Sequence, residues 1–267
     1  MAKLYGVSPG GYHAWRNRPE SQREIDDKAL LVDVRRLFVK YKGRYGSPRV
    51  HDQLIKEGFI VVKRRIERIM RENGIRAVAE NKPKAKPWKI TQYSDAENRI
   101  KDVELTGINQ VWLTDVTYLK INGKQLYLAT VLDKYSRKIL SWSIGPKKSC
   151  RLTKRVLKRA YKLRKPKINP IIHSDRGSEF LGDEYRALVK KLKLTPSVNR
   201  PRSMNDNAHM ESWYKTMKTE MYYRGRFRTF SSLRRAVYDY INFYNTIRTH
   251  SSLGYQSPCD YELSYAN

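Results

Sequence analysis

The spacing of apolar and polar positions changes character twice along the chain. Up to about residue 75 it is helical. Val62, Ile66, Ile69 and Met70 make one apolar stripe, while Arg64, Arg68 and Arg71 fall at i, i+4 and i+7 on the opposite face. Ser47 and Pro48 predict a helix start, Gly58 its end, and Gly74 the C-cap of the helix that follows. A short helix, a turn and a basic helix predict a helix-turn-helix whose three arginines face solvent together and contact DNA. Further upstream, the segment Tyr5–Pro9 is expected to be the tail of another helical unit.

From residue 78 the period is lost. Asn81–Trp88 (NKPKAKPW) is basic and broken by proline, which predicts an extended linker lying on a polyanion. From about residue 105 the pattern becomes α/β. Val111–Ile121 and Leu126–Leu132 are β-branched and aromatic runs, and Lys138–Ile144 alternates, with Leu140, Trp142 and Ile144 on one face. A helix at about 150–164, a strand at Pro170–Ser174, a helix at 183–193, a short strand at 194–199 and helices at about 207–223 and 231–247 follow. In the last of these Leu233, Ala236, Val237, Tyr240, Ile241 and Tyr244 form one stripe. The expected organisation is a helix-turn-helix region at 1–77, a basic linker at 78–104, and an α/β domain with C-terminal helices at 105–267. The latter's element order is similar to an RNase H-like core with a mixed five-stranded sheet.

Charge narrows the partner. Fifty-five Lys and Arg against 26 Asp and Glu give the 267 residues a net charge of +29, more than solubility requires. Nucleic acid is the natural counter-charge, since each phosphate neutralised releases a counterion. The segment Lys147–Lys167 alone holds eleven Lys and Arg and no acid, and Lys154 and Lys158 are expected to meet phosphate. Cys150 and Cys259 lie far apart and the five histidines form no HxxxH pair, which argues against structural zinc and a disulfide framework. No run of about 18 apolar residues exists, so a soluble intracellular protein is expected.

Three carboxylates carry the candidate chemistry. Asp115 interrupts the apolar strand Val111–Leu119, where an unpaired charge is costly and calls for a cation or strong donors. Taken alone, a salt bridge to a neighbour would also account for it. Asp175 follows the strand Pro170–Ser174 and precedes the turn Arg176-Gly177-Ser178, at the carboxyl end of a strand where open α/β sheets gather ligands. Glu211 opens a helix, a position that also suits the helix dipole. Lys215 and Lys218 follow it at i+4 and i+7 and share its face. His173, His209 and His250 are expected to be hydrogen bonders rather than metal ligands. Trp112 and Trp213 are expected in the core, and Tyr222, Tyr223 and Phe227 either stack bases or pack inside.

In these runs the sequence resembles the transposases of the IS-three insertion-sequence family and, more distantly, retroviral integrases. The similarity spans about residues 1–262 and includes Tyr45-Gly46, Asn109–Tyr118 (NQVWLTDVTY), His173–Ser178 (HSDRGS), Asp206–Ala208, Glu211-Ser212, Lys218–Glu220, Tyr244–Tyr255 (YNTIRTHSSLGY), Pro258 and Tyr261. It implies a DDE-type enzyme in which Asp115, Asp175 and Glu211 hold two Mg²⁺ ions, with Mn²⁺ able to substitute, and which cleaves element ends and joins the freed 3′-OH to DNA. Thr117, His173, Ser178 and Asn207 would support the ligands, and Lys215, Lys218 and Arg202 would meet DNA. The implied partners are double-stranded DNA bearing terminal inverted repeats, target DNA, further copies of the chain in a dimer or larger assembly, and the product of an upstream reading frame. The implied location is the bacterial cytoplasm, at the nucleoid and away from membranes. Two departures stand beside the site: Glu179-Phe180 where the family usually has Gln-Tyr, and Arg202 where it usually has Gly. Glu179 is a rival acidic ligand ranked below Glu211. Two other functions fit part of the pattern: an RNase H-like nuclease that never joins, and a non-catalytic DNA-binding regulator.

Overall fold

A computed structural model describes residues 6, 8–78, 97–200 and 204–266. Arg202 and the basic segment Asn81–Trp88 lie outside the described residues. The chain divides into two compact units, 1–79 and 80–267.

The first unit is helical. Helix α1 (Pro9–Arg16) is opened by Ser8, whose hydroxyl accepts from the Gly11 N–H, so Ser8-Pro9 starts a helix instead of ending one. Helix α2 (Gln22–Lys40) begins with a capping box: Ser21 accepts from the Glu24 N–H, and Glu24 accepts from the Ser21 N–H at 2.7 Å. Helix α3 (Ser47–Lys56) carries Ser47 and Pro48 in its first turn, with Gly46 as the cap one residue earlier than the sequence indicates. Gly58 turns the chain at φ +91°, and α4 (Lys63–Glu72) follows. Leu30, Val34 and Leu37 of α2 are buried with Val50 and Leu54 of α3 and with Ile66, Ile69 and Met70 of α4. Val62 does not join them; it caps α4 and is exposed.

The second unit is a five-stranded sheet with helices on both faces. Its strands are β1 (Val111–Ile121), β2 (Lys124–Asp133), β3 (Ile139–Gly145), β4 (Ile171–Ser174) and β5 (Thr195–Val198), in the spatial order β3-β2-β1-β4-β5. β1, β2 and β3 form an antiparallel meander; β4 and β5 add in parallel to the other edge of β1. Asn122 and Gly123, both at positive φ, make the tight turn between β1 and β2. The helices are α5 (Cys150–Arg164), α6 (Ser178–Leu181), α7 (Asp183–Lys191), α8 (Ala208–Glu220), α9 (Phe230–Thr246) and α10 (Pro258–Ala266).

Alternation along the strands fills two cores. Trp112, Val131 and Ile172 pack with Val156 and Leu157 of α5 and with Leu188 of α7. Val111, Leu113, Leu119 and Leu128 pack with Trp213 and Met217 of α8 and with Val237, Tyr240 and Tyr244 of α9. The simple alternation expected of β3 does not hold. Leu132 pairs with Ile139 while Val131 pairs with Ser141, so Leu140 is the extra residue of a bulge. The bulge reverses the phase: Leu140 enters the α5 core, whereas Trp142 and Ile144 belong to the opposite one.

Among the described residues no helix is long and apolar enough to cross a membrane.

Candidate active site

The site begins with strand register. β1 and β4 are hydrogen-bonded only through Val111–Leu113, with Leu113 beside His173. Carried two residues further, the same parallel register sets Asp175 next to Asp115, just beyond the last paired residues. Burial, reinforced by the charge of Asp175, pushes the Asp115 carboxyl up to about 8. Burial also raises Asp175, although the Gly177 N–H, which donates to its Oδ1 at 3.0 Å, opposes the shift. Two acids so placed favour a bound cation or a shared proton.

A lysine answers part of that demand. Lys148, just before the Ser149 cap of α5, lies with Nζ 2.7 Å from Oε1 of Glu179, itself buried in the first turn of α6. Partial burial works against the Lys148 charge, but its ion pair with Glu179 and the charges of Asp175 and Asp115 outweigh it and hold its pKa above the usual lysine value. Glu179 in turn adds to the pressure that raises Asp115 and Asp175.

Helix α8 covers the other side. The Tyr214 hydroxyl is 2.6 Å from the Asp115 carbonyl oxygen, to which it donates, and 2.8 Å from Oγ1 of Thr130. Lys218 sits with Nζ 5.0 Å from the Tyr118 ring centroid; burial lowers its pKa and the Asp115 charge partly restores it. Glu211 is one turn before Tyr214 and two before Lys218, hence on the same helix face. It is mostly exposed; its partial burial alone shifts its carboxyl upward, and neither aspartate contributes. Thus the structure brings Asp115, Asp175, Glu179, Lys148 and Lys218 into one charge cluster and leaves Glu211 at its rim. Among the described residues no three His, Cys, Asp or Glu side chains converge as a ready metal cage.

The supporting residues divide. His173 is fully buried between Ser197 Oγ at 2.8 Å and Asn199 Oδ1 at 2.7 Å, and burial lowers its pKa to about 4, so it is a neutral tether between β4 and β5. Burial, with the charges of Arg137 and Lys134, takes His209 to about 4 as well. Asn207 is buried at the start of α8. Its neighbour Asp206 accepts from the Arg200 backbone N–H at 2.8 Å and side chain at 2.9 Å, closing the loop ahead of α8. Thr117 is half-buried, two residues along β1 from Asp115, and Ser178 is exposed at the start of α6.

The basic residues also divide. Arg64 and Arg71 are exposed. Arg68 is not: it is half-buried and paired with Asp27 at 2.5 Å and Glu72 at 3.0 Å, and Arg65 shares Asp27 at 2.6 Å, so α4 is tied to α2 through the face expected to be free. Lys154 is held by Glu184 at 2.5 Å, whereas Lys158 and Lys215 are exposed. Trp112 and Trp213 are core residues. Tyr222 is fixed by its hydroxyl to the Lys120 backbone and stacks on Phe227; Tyr223 is exposed.

Two residues escaped the sequence reading. Lys148 was merged into a basic run, and only its approach to Glu179 and the two aspartates sets it apart. Tyr214 had a usable signal, its place at i+3 from Glu211.

Comparison with known proteins agrees with this architecture. Residues 24–83 match the HTH-like domain family, and residues 106–204 and 192–258 match two integrase core domain families. The fold resembles that of a chain in the simian T-cell lymphotropic virus intasome in complex with PP2A regulatory subunit B56 gamma, with a TM-score of 0.52 at 14% identity over 85% of this chain and 73% of that one. Sheet, helices and family matches together define an RNase H-like integrase core preceded by a helix-turn-helix-like region. The chain is 31% identical, over 98% of its length, to 92% of the transposase InsF for insertion sequence IS3A of Escherichia coli (strain K12). It is 31% identical, over 92% of its length, to 98% of the transposase for insertion sequence element IS904 of Lactococcus lactis subsp. lactis (strain IL1403). It therefore belongs to the IS3 family of insertion-sequence transposases.

Proposed function

We propose that the chain cleaves the ends of an insertion sequence and joins the freed 3′-OH to DNA by metal-assisted phosphoryl transfer. The observation that carries this reading is the pair Asp115 and Asp175, set side by side by the β1–β4 register just beyond its last paired residues, in a family of transposases. Their donor set suits hard divalent ions, because carboxylate oxygens bind Mg²⁺ and Mn²⁺ well and both acids gain from positive charge. Bound there, two such ions would lower the pKa of water and neutralise charge on the phosphate. Asp115, Asp175 and Glu211 would hold the ions, with α8 carrying Glu211 and Lys218 on one face toward the scissile phosphate. Lys218 binds that phosphate, Tyr214 fixes the Asp115 backbone, and Thr117, His173, Ser178 and Asn207 hold the surrounding loops.

Residues 1–77 would bind the terminal repeats through α4, the segment 78–104 would link the units along DNA, and 105–267 would hold the catalytic domain. Lys154, Lys158, Lys215 and Arg202 would line the DNA path. Joining two ends calls for two or more copies, and the product of an upstream reading frame is a further proposed partner. The working place would be the bacterial nucleoid.

The test is a Mg²⁺-dependent joining assay with oligonucleotides bearing the terminal repeats. Asp115→Asn, Asp175→Asn and Glu211→Gln should each abolish cleavage and joining while DNA binding persists. Hydrolysis without joining in the unaltered chain would leave a nuclease, and full joining by any one variant would remove that residue from the ligand set. Glu179 as third ligand has one observation in its favour, its charge contact with both aspartates. Full joining by Glu211→Gln with none by Glu179→Gln would select it.

A further inference from the structure

We propose that Lys148 and Glu179 form a charge-balancing pair built into the metal site. Lys148 supplies the positive charge that Asp115 and Asp175 need before a divalent ion arrives, and Glu179 neutralises Lys148 so that the ion is not repelled. Neither residue need touch the DNA; both act as positioning residues. The inference rests on the metal-binding reading of Asp115 and Asp175.

Three features of the geometry carry it. First, Lys148 Nζ and Glu179 Oε1 are 2.7 Å apart, and the glutamate side chain is only 2% exposed, so its ionised form requires that partner. Second, the pair is joined mechanically to Asp175. The Gly177 N–H holds Asp175 Oδ1, and a Cβ built on Gly177 would lie 2.5 to 2.8 Å from the Glu179 carboxyl atoms. Only a residue without a side chain lets the Glu179 carboxyl rest against the turn that orients Asp175. Third, Lys148 and Glu179 come from separate elements, the entry to α5 and the first turn of α6, which pack against each other.

The consequence is a definite charge balance: three acids and one lysine within mutual reach. Removing the Glu179 charge leaves an unneutralised ammonium beside the ion site. Removing Lys148 leaves three acids and strengthens the site for cations, at the expense of the metal-free fold. Glu179 as a metal ligand predicts the opposite for the double variant, which would lose a ligand and regain nothing.

Mn²⁺ binding to the full-length chain, followed by calorimetry and by the electron paramagnetic resonance of free Mn²⁺, separates these cases. Asp115→Asn tests the underlying reading: if it binds Mn²⁺ as tightly as the unaltered chain, the metal site itself is wrong, whatever Glu179 does. With Asp115→Asn defective, Glu179→Gln should weaken Mn²⁺ binding at least about tenfold and Lys148→Met should tighten it at least about tenfold, since Coulomb's law for a unit charge roughly 6 Å from a divalent ion at an effective dielectric of about 20 exceeds the equivalent of a tenfold change. The double variant should return to within about threefold of the unaltered chain, since paired charges couple, and Lys148→Arg should match it too. In chelator, Lys148→Met should melt below the unaltered chain, and saturating Mn²⁺ should remove the difference. Loss of binding in Glu179→Gln as complete as in Asp115→Asn, with no recovery in the double variant, overturns the proposal and makes Glu179 a ligand. Equal affinity in all four chains, or a Lys148→Met chain that stays unfolded even with Mn²⁺, also overturns it and leaves a purely structural ion pair.

Discussion

Lys218 shows what a single side chain near the site is expected to do. It lies over Tyr118, is partly buried and feels the Asp115 charge, a place where a cation has use only if an anion comes to it. An ammonium there meets a phosphate as a point charge and distinguishes no base. Lys218→Ala should therefore weaken binding to terminal-repeat and scrambled DNA alike and lower the salt slope by about one unit. Joining should slow as well, because a displaced scissile phosphate loses its alignment. Binding measured across a salt series decides this: parallel slopes with undiminished joining would make Lys218 a helix-surface residue only. Asp115 offers a second residue-scale test. Its carboxyl is destabilised by burial and by Asp175, so Asp115→Asn should make the metal-free chain more stable, by on the order of 1–3 kcal/mol in urea titrations. The same variant should lose any stabilisation by Mg²⁺. A less stable metal-free variant would mean that the two acids are not in conflict.

At the scale of elements, α4 and α8 each combine an outward face, proposed to meet DNA, with an anchoring face. On α4 the anchoring is done by Arg65 and Arg68 on Asp27, leaving Arg64 and Arg71 outward. The double variant Arg64→Ala, Arg71→Ala should lose preference for terminal-repeat DNA in gel shifts without a change in melting temperature. Arg68→Ala should instead lower the melting temperature, because it takes one of the two partners of Asp27. Equal repeat preference in the double variant would remove α4 from DNA recognition. Helix α8 is locked at its far end by Glu220, whose carboxylate accepts from Arg248 at 2.7 Å and from the Tyr240 hydroxyl at 2.9 Å, all buried. Glu220→Gln would leave the Arg248 guanidinium uncompensated and should cost about 3–5 kcal/mol in urea unfolding. A cost below about 1 kcal/mol would show that the Trp213 and Met217 packing holds α8 without the ion pair.

At the scale of the whole molecule the opposed charges make stability depend on pH and on metal together. The folded Asp115 carboxyl binds its proton more tightly than the unfolded one, from an ordinary value of 3.8 up to about 8. The metal-free chain thus loses this contribution to stability as pH rises through that window, where folded protein must give up protons that the unfolded chain has already lost. A divalent ion competes with those protons and replaces them. The rise in melting temperature produced by Mg²⁺ should therefore be small at pH 5 and larger at pH 8, and Asp115→Asn should abolish it at both. A shift independent of pH would place Mg²⁺ elsewhere on the molecule.

Much of this was legible in the order of residues. β1 runs over the expected Val111–Ile121 and α5 over the expected 150–164, because both are long segments whose period is unmixed. Asp115 was conspicuous because a charge inside an apolar strand is locally inconsistent, and Asp175 because it ends a strand at a glycine turn. What the sequence could not determine is set by contacts between distant segments. The bulge at Leu140 depends on the partner strand, which alone decides which residue is extra. Arg68 looked free because helical periodicity names a face without naming its neighbour; Asp27, 41 residues earlier, occupies it. Lys148 and Glu179, 31 positions apart, became a pair only when α5 and α6 met beside the sheet. Local sequence determined which segments are helix or strand and which acids are out of place, because propensity and period act over a few residues. Tertiary packing decided which charges meet, because Coulomb energy depends on distance and burial, and both are properties of the folded chain alone.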